Sequence, residues 1–144
     1  MRALVALAGG LAVGLAALGG GWMYWPHDPG GTAGRAAGPG GPMVQVSVPD
    51  LSQGARAGAR LFDANCSSCH GANAAGSDRG PPLIHRIYEP SHHGDGAFYR
   101  AVLLGVQGHH WRFGNMPAVE GVSERDVGLI VRYIRELQRA IGIF

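Results

Sequence analysis

Lysine is absent from the 144 residues, and all 12 basic side chains are arginine, set against 10 acidic ones for a formal charge of +2. No dense basic stripe runs along any segment, which excludes the electrostatic footprint of a nucleic-acid binder. Cysteine is nearly absent too. Two residues are too few for a disulfide-dense mini-fold or a four-cysteine zinc module. Charged residues make up only 15% of the chain and apolar ones 46%, so a wholly disordered chain is excluded. No internal repeat is visible, and outside Val44, Val46 and Val48 no alternation marks a strand. The glycine runs lack a strand–loop–helix setting and are not phosphate loops. What the chain does have is histidine: six of its seven fall between positions 70 and 110. Any chemistry belongs there.

Residues 3–25 form one apolar run of 23. As a helix rising about 1.5 Å per residue it would span roughly 33 Å, close to the ~30 Å hydrocarbon core of a bilayer. Trp22, Tyr24 and Trp25 form an interfacial belt at its far end, and Arg2 with the α-amino group marks the near end as cytoplasmic. Residues 1–26 are therefore expected to be an N-terminal transmembrane helix that anchors the chain. A secretory signal peptide, cut after Gly19 or Gly21, is the competing reading. Either way the rest of the chain leaves the cytoplasm. Residues 27–50, with six Gly and four Pro, read as a flexible Gly/Pro-rich linker. Such a coil spans about 25–30 Å root-mean-square. Its Val44–Val48 end is suited to lie extended on the domain surface.

From residue 51 the composition turns globular, and residues 51–144 read as one small all-α domain of three to four helices with long ordered loops. Asp50 or Ser52 caps a first helix that carries Leu51, Ala55, Gly58, Leu61 and Phe62 and runs into Asn65-Cys66. Asp95 caps a second, over 96–106, with Phe98, Ala101, Val102 and Gly105 on one face. Ser123 caps the last, over 124–140, whose stripe of Val127, Ile130, Val131, Ile134, Leu137 and Ile141 is stopped by Gly142. The charged residues of 125–139 read as its solvated face. About 94 residues arranged this way make a thin core, and so small a domain needs something else to fill and staple it.

Cys66-Ser67-Ser68-Cys69-His70 is a C-x-x-C-H run, the attachment pattern of covalent haem c. Two thiols one helical turn apart can add across the two vinyl groups on a porphyrin edge, and the adjacent histidine reaches the iron from the same face. A structural disulfide would leave His70 without a role. A thioredoxin-like dithiol needs a βαβ setting, and a zinc site needs two more ligands. Met116, in Gly114-Asn115-Met116-Pro117, stands 46 residues after His70 and is the candidate second axial ligand. Its thioether is soft and neutral, favouring ferrous iron and raising the reduction potential. Met116 could instead fill the pocket unbonded, and His109 or His110 could take the position.

From Gly58 to Phe144 the chain resembles a class I c-type cytochrome, monohaem and His/Met-ligated. Gly58 and Phe62 stand eight and four residues before Cys66, as in that family's first helix. There a small residue admits the last helix and an aromatic packs on the haem. Tyr133 and Ile130 match the last-helix pair that meets that glycine. Gly80-Pro81-Pro82-Leu83 matches a Gly-Pro-x-Leu loop, and the match implies that the Pro81 carbonyl accepts the Nδ1 hydrogen of His70. Asn115-Met116-Pro117 is similar to the family's axial x-Met-Pro. By the same resemblance Arg112 would hold the haem propionates, against the alternative of a solvated loop arginine, and Trp111 would pack.

Two features depart from the family. Some carriers dock through a ring of lysines; this chain has none, so docking is expected to use apolar and local polar contacts. The second is the group His85, His92, His93, His109 and His110. Either these are loop histidines that bond propionates, backbone or water, or some converge on a second metal such as copper for metal handling or sensing. Adjacent histidines usually diverge, so not all five are expected to meet.

The resemblance implies a one-electron carrier rather than an enzyme. Its partners would be a quinol-oxidising complex, a terminal oxidase, or a periplasmic dehydrogenase or oxidase. With the anchor retained, the expected location is a bacterial inner membrane, single-pass, haem domain in the periplasm; with a cleaved signal it is soluble in the periplasm. A haem enzyme with a displaceable sixth ligand is a further alternative.

Overall fold

The computed structural model describes residues 41–144. The expected anchor at 1–26 and most of the linker lie outside the described residues. No helix among the described residues is long and apolar enough to cross a membrane.

Four helices follow in order: α1 (Gln53–Asn65), α2 (Ser67–His70), α3 (Asp95–Leu104) and α4 (Glu124–Ala140), with short 3-10 turns at Ala72–Ala74 and Arg86–Tyr88. The described residues contain no strand, only one isolated antiparallel bridge between Val106 and Met116. Val44–Val48 forms no strand; the Met43 and Val44 amides donate to the Ala75 carbonyl at 2.9 and 3.1 Å, and Val44 and Val46 pack on the core.

Ser52 begins α1, its Oγ accepting from the Ala55 amide at 3.2 Å. The same residue is tied to α4: its amide and hydroxyl donate to the two Glu136 carboxylate oxygens at 2.9 and 2.6 Å. Slight burial raises the Glu136 pKa, but the hydrogen bonds from Ser52 and the nearby Arg139 and Arg132 outweigh it, so the net shift is downward. A depressed carboxyl contributes stability above its unfolded pKa and loses it as pH falls through the folded one. Glu136→Gln should therefore lower the melting temperature at neutral pH, and the gap from wild type should close in acid below the carboxylate range. A gap independent of pH would mean the contact is not ionic.

The core lies where α1 crosses α4. Gly58 faces the α4 backbone so closely that a Cβ there would collide with the Leu129 carbonyl and lie 3.1 Å from the Ile130 amide nitrogen. The close approach is therefore to the Leu129–Ile130 backbone rather than to the Tyr133 ring. Tyr133 instead meets Phe62, centroids 5.7 Å apart, and its hydroxyl donates to Asn73 Oδ1 at 3.2 Å. Ala55, Phe62, Val127, Ile134 and Leu137 are fully or almost fully buried around them.

Three expectations are corrected. Asp95 does not cap α3. Gly94 occupies that position, because the Asp95 carboxylate is engaged by Arg135 at 2.8 Å. Gly105 is not on the apolar face of α3 but ends the helix: its φ of +79° is non-helical, and a Cβ there would sit 2.7 Å from the Met116 carbonyl oxygen. On α4 the Ser123–Asp126 capping box forms as the sequence suggests and Gly142 turns the chain at φ +80°, yet Arg135 is not solvated. It is 6% exposed. Its guanidinium donates to Asp95 Oδ1, to the Tyr88 and His93 carbonyls at 2.6 Å each and to Gln138 Oε1 at 2.6 Å, with its carbon 5.0 Å from the Phe98 ring centroid. Gln138 in turn donates to the Leu83 and Tyr88 carbonyls. The long loop between α2 and α3 thus hangs on two polar side chains of α4.

Candidate haem site

The C-x-x-C-H run occupies a single turn hooked onto the end of α1. The Cys66 amide donates to the Phe62 carbonyl at 2.8 Å, and the Cys66 carbonyl accepts from Cys69 and His70 at 3.1 and 2.9 Å. No disulfide joins the two cysteines. Burial, with the neighbouring Cys69 sulfur, pushes the Cys66 thiol up to about 11.

The chain leaves α2 at Gly71 and returns over it. Gly76 donates to the His70 carbonyl at 2.7 Å, and the Ser77 hydroxyl donates to the Cys69 carbonyl at 2.5 Å. Gly80 lies on the Cys69 backbone, where a Cβ would meet the Cys69 carbonyl oxygen at 2.8 Å. This contact explains the glycine of Gly-Pro-x-Leu: it lets the next residue reach the imidazole. The Pro81 carbonyl stands 2.9 Å from His70 Nδ1, and since a carbonyl only accepts, Nδ1 carries the hydrogen and Nε2 is the free lone pair. Burial lowers the His70 pKa more than the Pro81 bond raises it, so the ring is neutral at physiological pH.

Met116 is placed by backbone. Its amide and carbonyl exchange 2.9 Å hydrogen bonds with Val106, and Asn115 Oδ1 accepts from the Gly108 amide at 2.9 Å. His70, Cys66, Phe62, Pro81 and Met116 all line one cleft of about 680 Å³, whose wall is completed by Ile130 and Ile134 of α4. That volume falls within the ~300–1,000 Å³ range of small-molecule and cofactor sites. Cys69 lies beside the lining rather than in it. Arg112 is exposed and outside the cleft. Trp111 lines it instead, and its buried Nε1–H has no hydrogen-bond partner. The Tyr88 hydroxyl is near enough for that indole to lower its pKa against the larger raising effect of burial, but no bond of normal geometry forms. An orphaned buried donor in an apolar cleft beside a fixed imidazole suits a flat apolar macrocycle with carboxylate arms.

The remaining histidines divide. His85 stands apart, with Nδ1 accepting from the Ile87 amide at 3.2 Å and its ring edge-on to Trp111 at 5.2 Å. His92, His93, His109 and His110 gather on the cleft rim. Against expectation the adjacent His92 and His93 rings do meet, centroids 4.6 Å apart, because the Glu89–His93 turn folds back on itself with both amides donating to the Glu89 carbonyl. Sequence reasoning missed Arg135 and assigned Trp111 only to packing. Arg135 was open to detection: it lies four residues after Val131 and three before Gln138, on the flank of the buried stripe. No comparable signal marks Trp111.

Cysteines and histidine on one turn, a carbonyl-locked imidazole and a methionine loop closing one apolar cleft define the class: a small helical haem-binding domain. Residues 55–138 match the family model described as cytochrome c, and the chain belongs to that family as a class I c-type cytochrome. Such a domain carries covalently bound haem c, here a single one. The cytochrome bc1 complex cytochrome c subunits of Mycobacterium bovis and Mycobacterium tuberculosis are each 40% identical over 86 residues, 58% of this chain and 25% of theirs. That of Mycobacterium leprae is 38% identical over 84 residues. The chain thus spans about a quarter of the length of these relatives. No solved structure matches it significantly.

Proposed function

We propose that the domain passes single electrons from a quinol-oxidising complex to a second redox protein, such as a terminal oxidase or a periplasmic dehydrogenase or oxidase, and catalyses no reaction of its own. The observation that carries this reading is the placement of a Pro81-locked His70 and Met116 on the walls of one apolar cleft. When bound, haem c supplies a one-electron ferric/ferrous couple. Cys66 and Cys69 would hold it by thioether bonds, His70 Nε2 and the Met116 sulfur would bind its iron, and Trp111 Nε1–H would be free to bond a carboxylate arm. The residues' own contribution is to fix and exclude. Pro81 holds the imidazole in one tautomer, and Phe62, Ile130 and Ile134 give the cleft an apolar wall. The Val106 bridge fixes the methionine segment. The similarity to bc1 cytochrome c subunits supports the quinol-oxidising partner. The apolar run of 3–25 supports an anchored, periplasm-facing location in a bacterial inner membrane, with residues 27–50 as the tether.

The test is Met116→Ala, made alongside a working haem-ligation system. Protein mass should still rise by one haem. The charge-transfer band from thioether to ferric iron should vanish, and the midpoint potential should fall by on the order of 0.1 V, within the ~0.8 V that axial ligation spans. An unchanged band and potential would make another residue the sixth ligand, with His109 and His110 the next to substitute.

A further inference from the structure

We propose that His92, His93 and His110 form a second metal site, a three-imidazole seat for a late first-row divalent ion, Cu2+ or Zn2+, on the rim of the haem cleft. One ring nitrogen from each lies within 4.8 Å of the others. Nitrogens bound at about 2.0–2.1 Å to one tetrahedral ion are roughly 3.4 Å apart. His92 Nε2 and His110 Nε2 already stand 3.3 Å apart, so only His93 has to close in. His93 is prepared for it: its Nδ1 donates to the Ile87 carbonyl at 2.6 Å, which fixes the tautomer and leaves Nε2 with the lone pair. A carbonyl-held imidazole of this kind is the usual support of a metal-ligating histidine.

The seat is built by separate segments. His92 and His93 come from the Glu89–His93 turn, whose His93 carbonyl is gripped by buried Arg135 of α4. His110 comes from the loop after α3. His109 stacks on His93 with centroids 6.0 Å apart but bonds the Gln107 carbonyl through Nδ1 and stays outside the group. Among the described residues no carboxylate forms an ion pair with these imidazoles. Three nitrogens with no oxygen ligand suit copper or zinc rather than calcium or magnesium. Three protein ligands leave a fourth position open to water or a small ligand.

The experiment uses the haem-loaded protein, titrated with Zn2+ by calorimetry and, separately, with Cu2+ followed by electron paramagnetic resonance. One equivalent should bind, with Cu2+ showing nitrogen hyperfine structure. His92→Ala and His110→Ala, both at exposed positions, should each weaken binding at least about tenfold, and the double variant should abolish it. Circular dichroism checks that the variants are folded. Absence of stoichiometric uptake overturns the proposal. So does uptake that persists in the double variant, since the ion then sits elsewhere, as on the haem carboxylates. Haem loading is read independently from the visible spectrum, so a failed haem assignment and a failed metal site give different results.

Discussion

Gly58→Val should destabilise the domain by about 3 kcal/mol or more, the upper end of overpacking costs, because what it strikes cannot move aside. The first atom it adds collides with the Leu129 carbonyl of α4, and backbone in the middle of a helix has no alternative rotamer. Even Gly58→Ala should destabilise. Alanine gains about 0.5–1 kcal/mol in helix propensity over glycine, but the collision outweighs that gain. For a domain of this size each kcal/mol moves the melting temperature roughly 4–8 °C, so the valine variant should melt at least about 12 °C lower. Thermal unfolding of the haem-loaded protein reads this directly. A neutral alanine variant would mean that α1 and α4 do not cross at Gly58.

Arg135→Met should cost about 3–5 kcal/mol, the range for breaking a buried charge network by removing one partner. Methionine fills the volume but leaves the His93 carbonyl and Gln138 Oε1 without their donor and the Tyr88 carbonyl with only its bond from Gln138. Arg135→Lys should recover little, since an ammonium on a flexible stem cannot bond in the several directions the planar guanidinium serves. Asp95→Asn should matter far less, because its side chain is 63% exposed and an exposed pair contributes about 0–1 kcal/mol. Amide hydrogen exchange gives the local signature: protection across 85–94 should drop in Arg135→Met and persist in Asp95→Asn. Equal losses in both would make the ion pair, not the carbonyl bonds, the source of the stability.

The helices were legible in the sequence because they depend on local rules, whereas the Pro81–His70 contact was implied only by the resemblance of the Gly-Pro-x-Leu loop to that of class I c-type cytochromes. Ser52 and Ser123 cap where the apolar stripes begin. Gly142 stops α4. What stayed hidden depends on partners far apart in sequence. Asp95 looks like a cap until Arg135, forty residues away, takes its carboxylate. Gly105 looks helical until the Met116 carbonyl arrives beside it. The meeting of His92 with His110 needs the α2–α3 loop and the loop after α3 to close on the same rim. No periodicity encodes that.

The Val106–Met116 bridge divides the molecule's labour unevenly. Cohesion is concentrated where α1 and α4 interlock and where Arg135 gathers the loop, whereas the Met116 segment is held by the reciprocal bonds to Val106, the Val119 amide on the Val102 carbonyl at 2.8 Å and the Asn115 bond to Gly108. Segments with few buried contacts open at lower free energy than the body that carries them. If Met116 is the ligand proposed above, the residue that tunes the iron sits on a segment held mainly by backbone bonds, set apart from the interlocked helices.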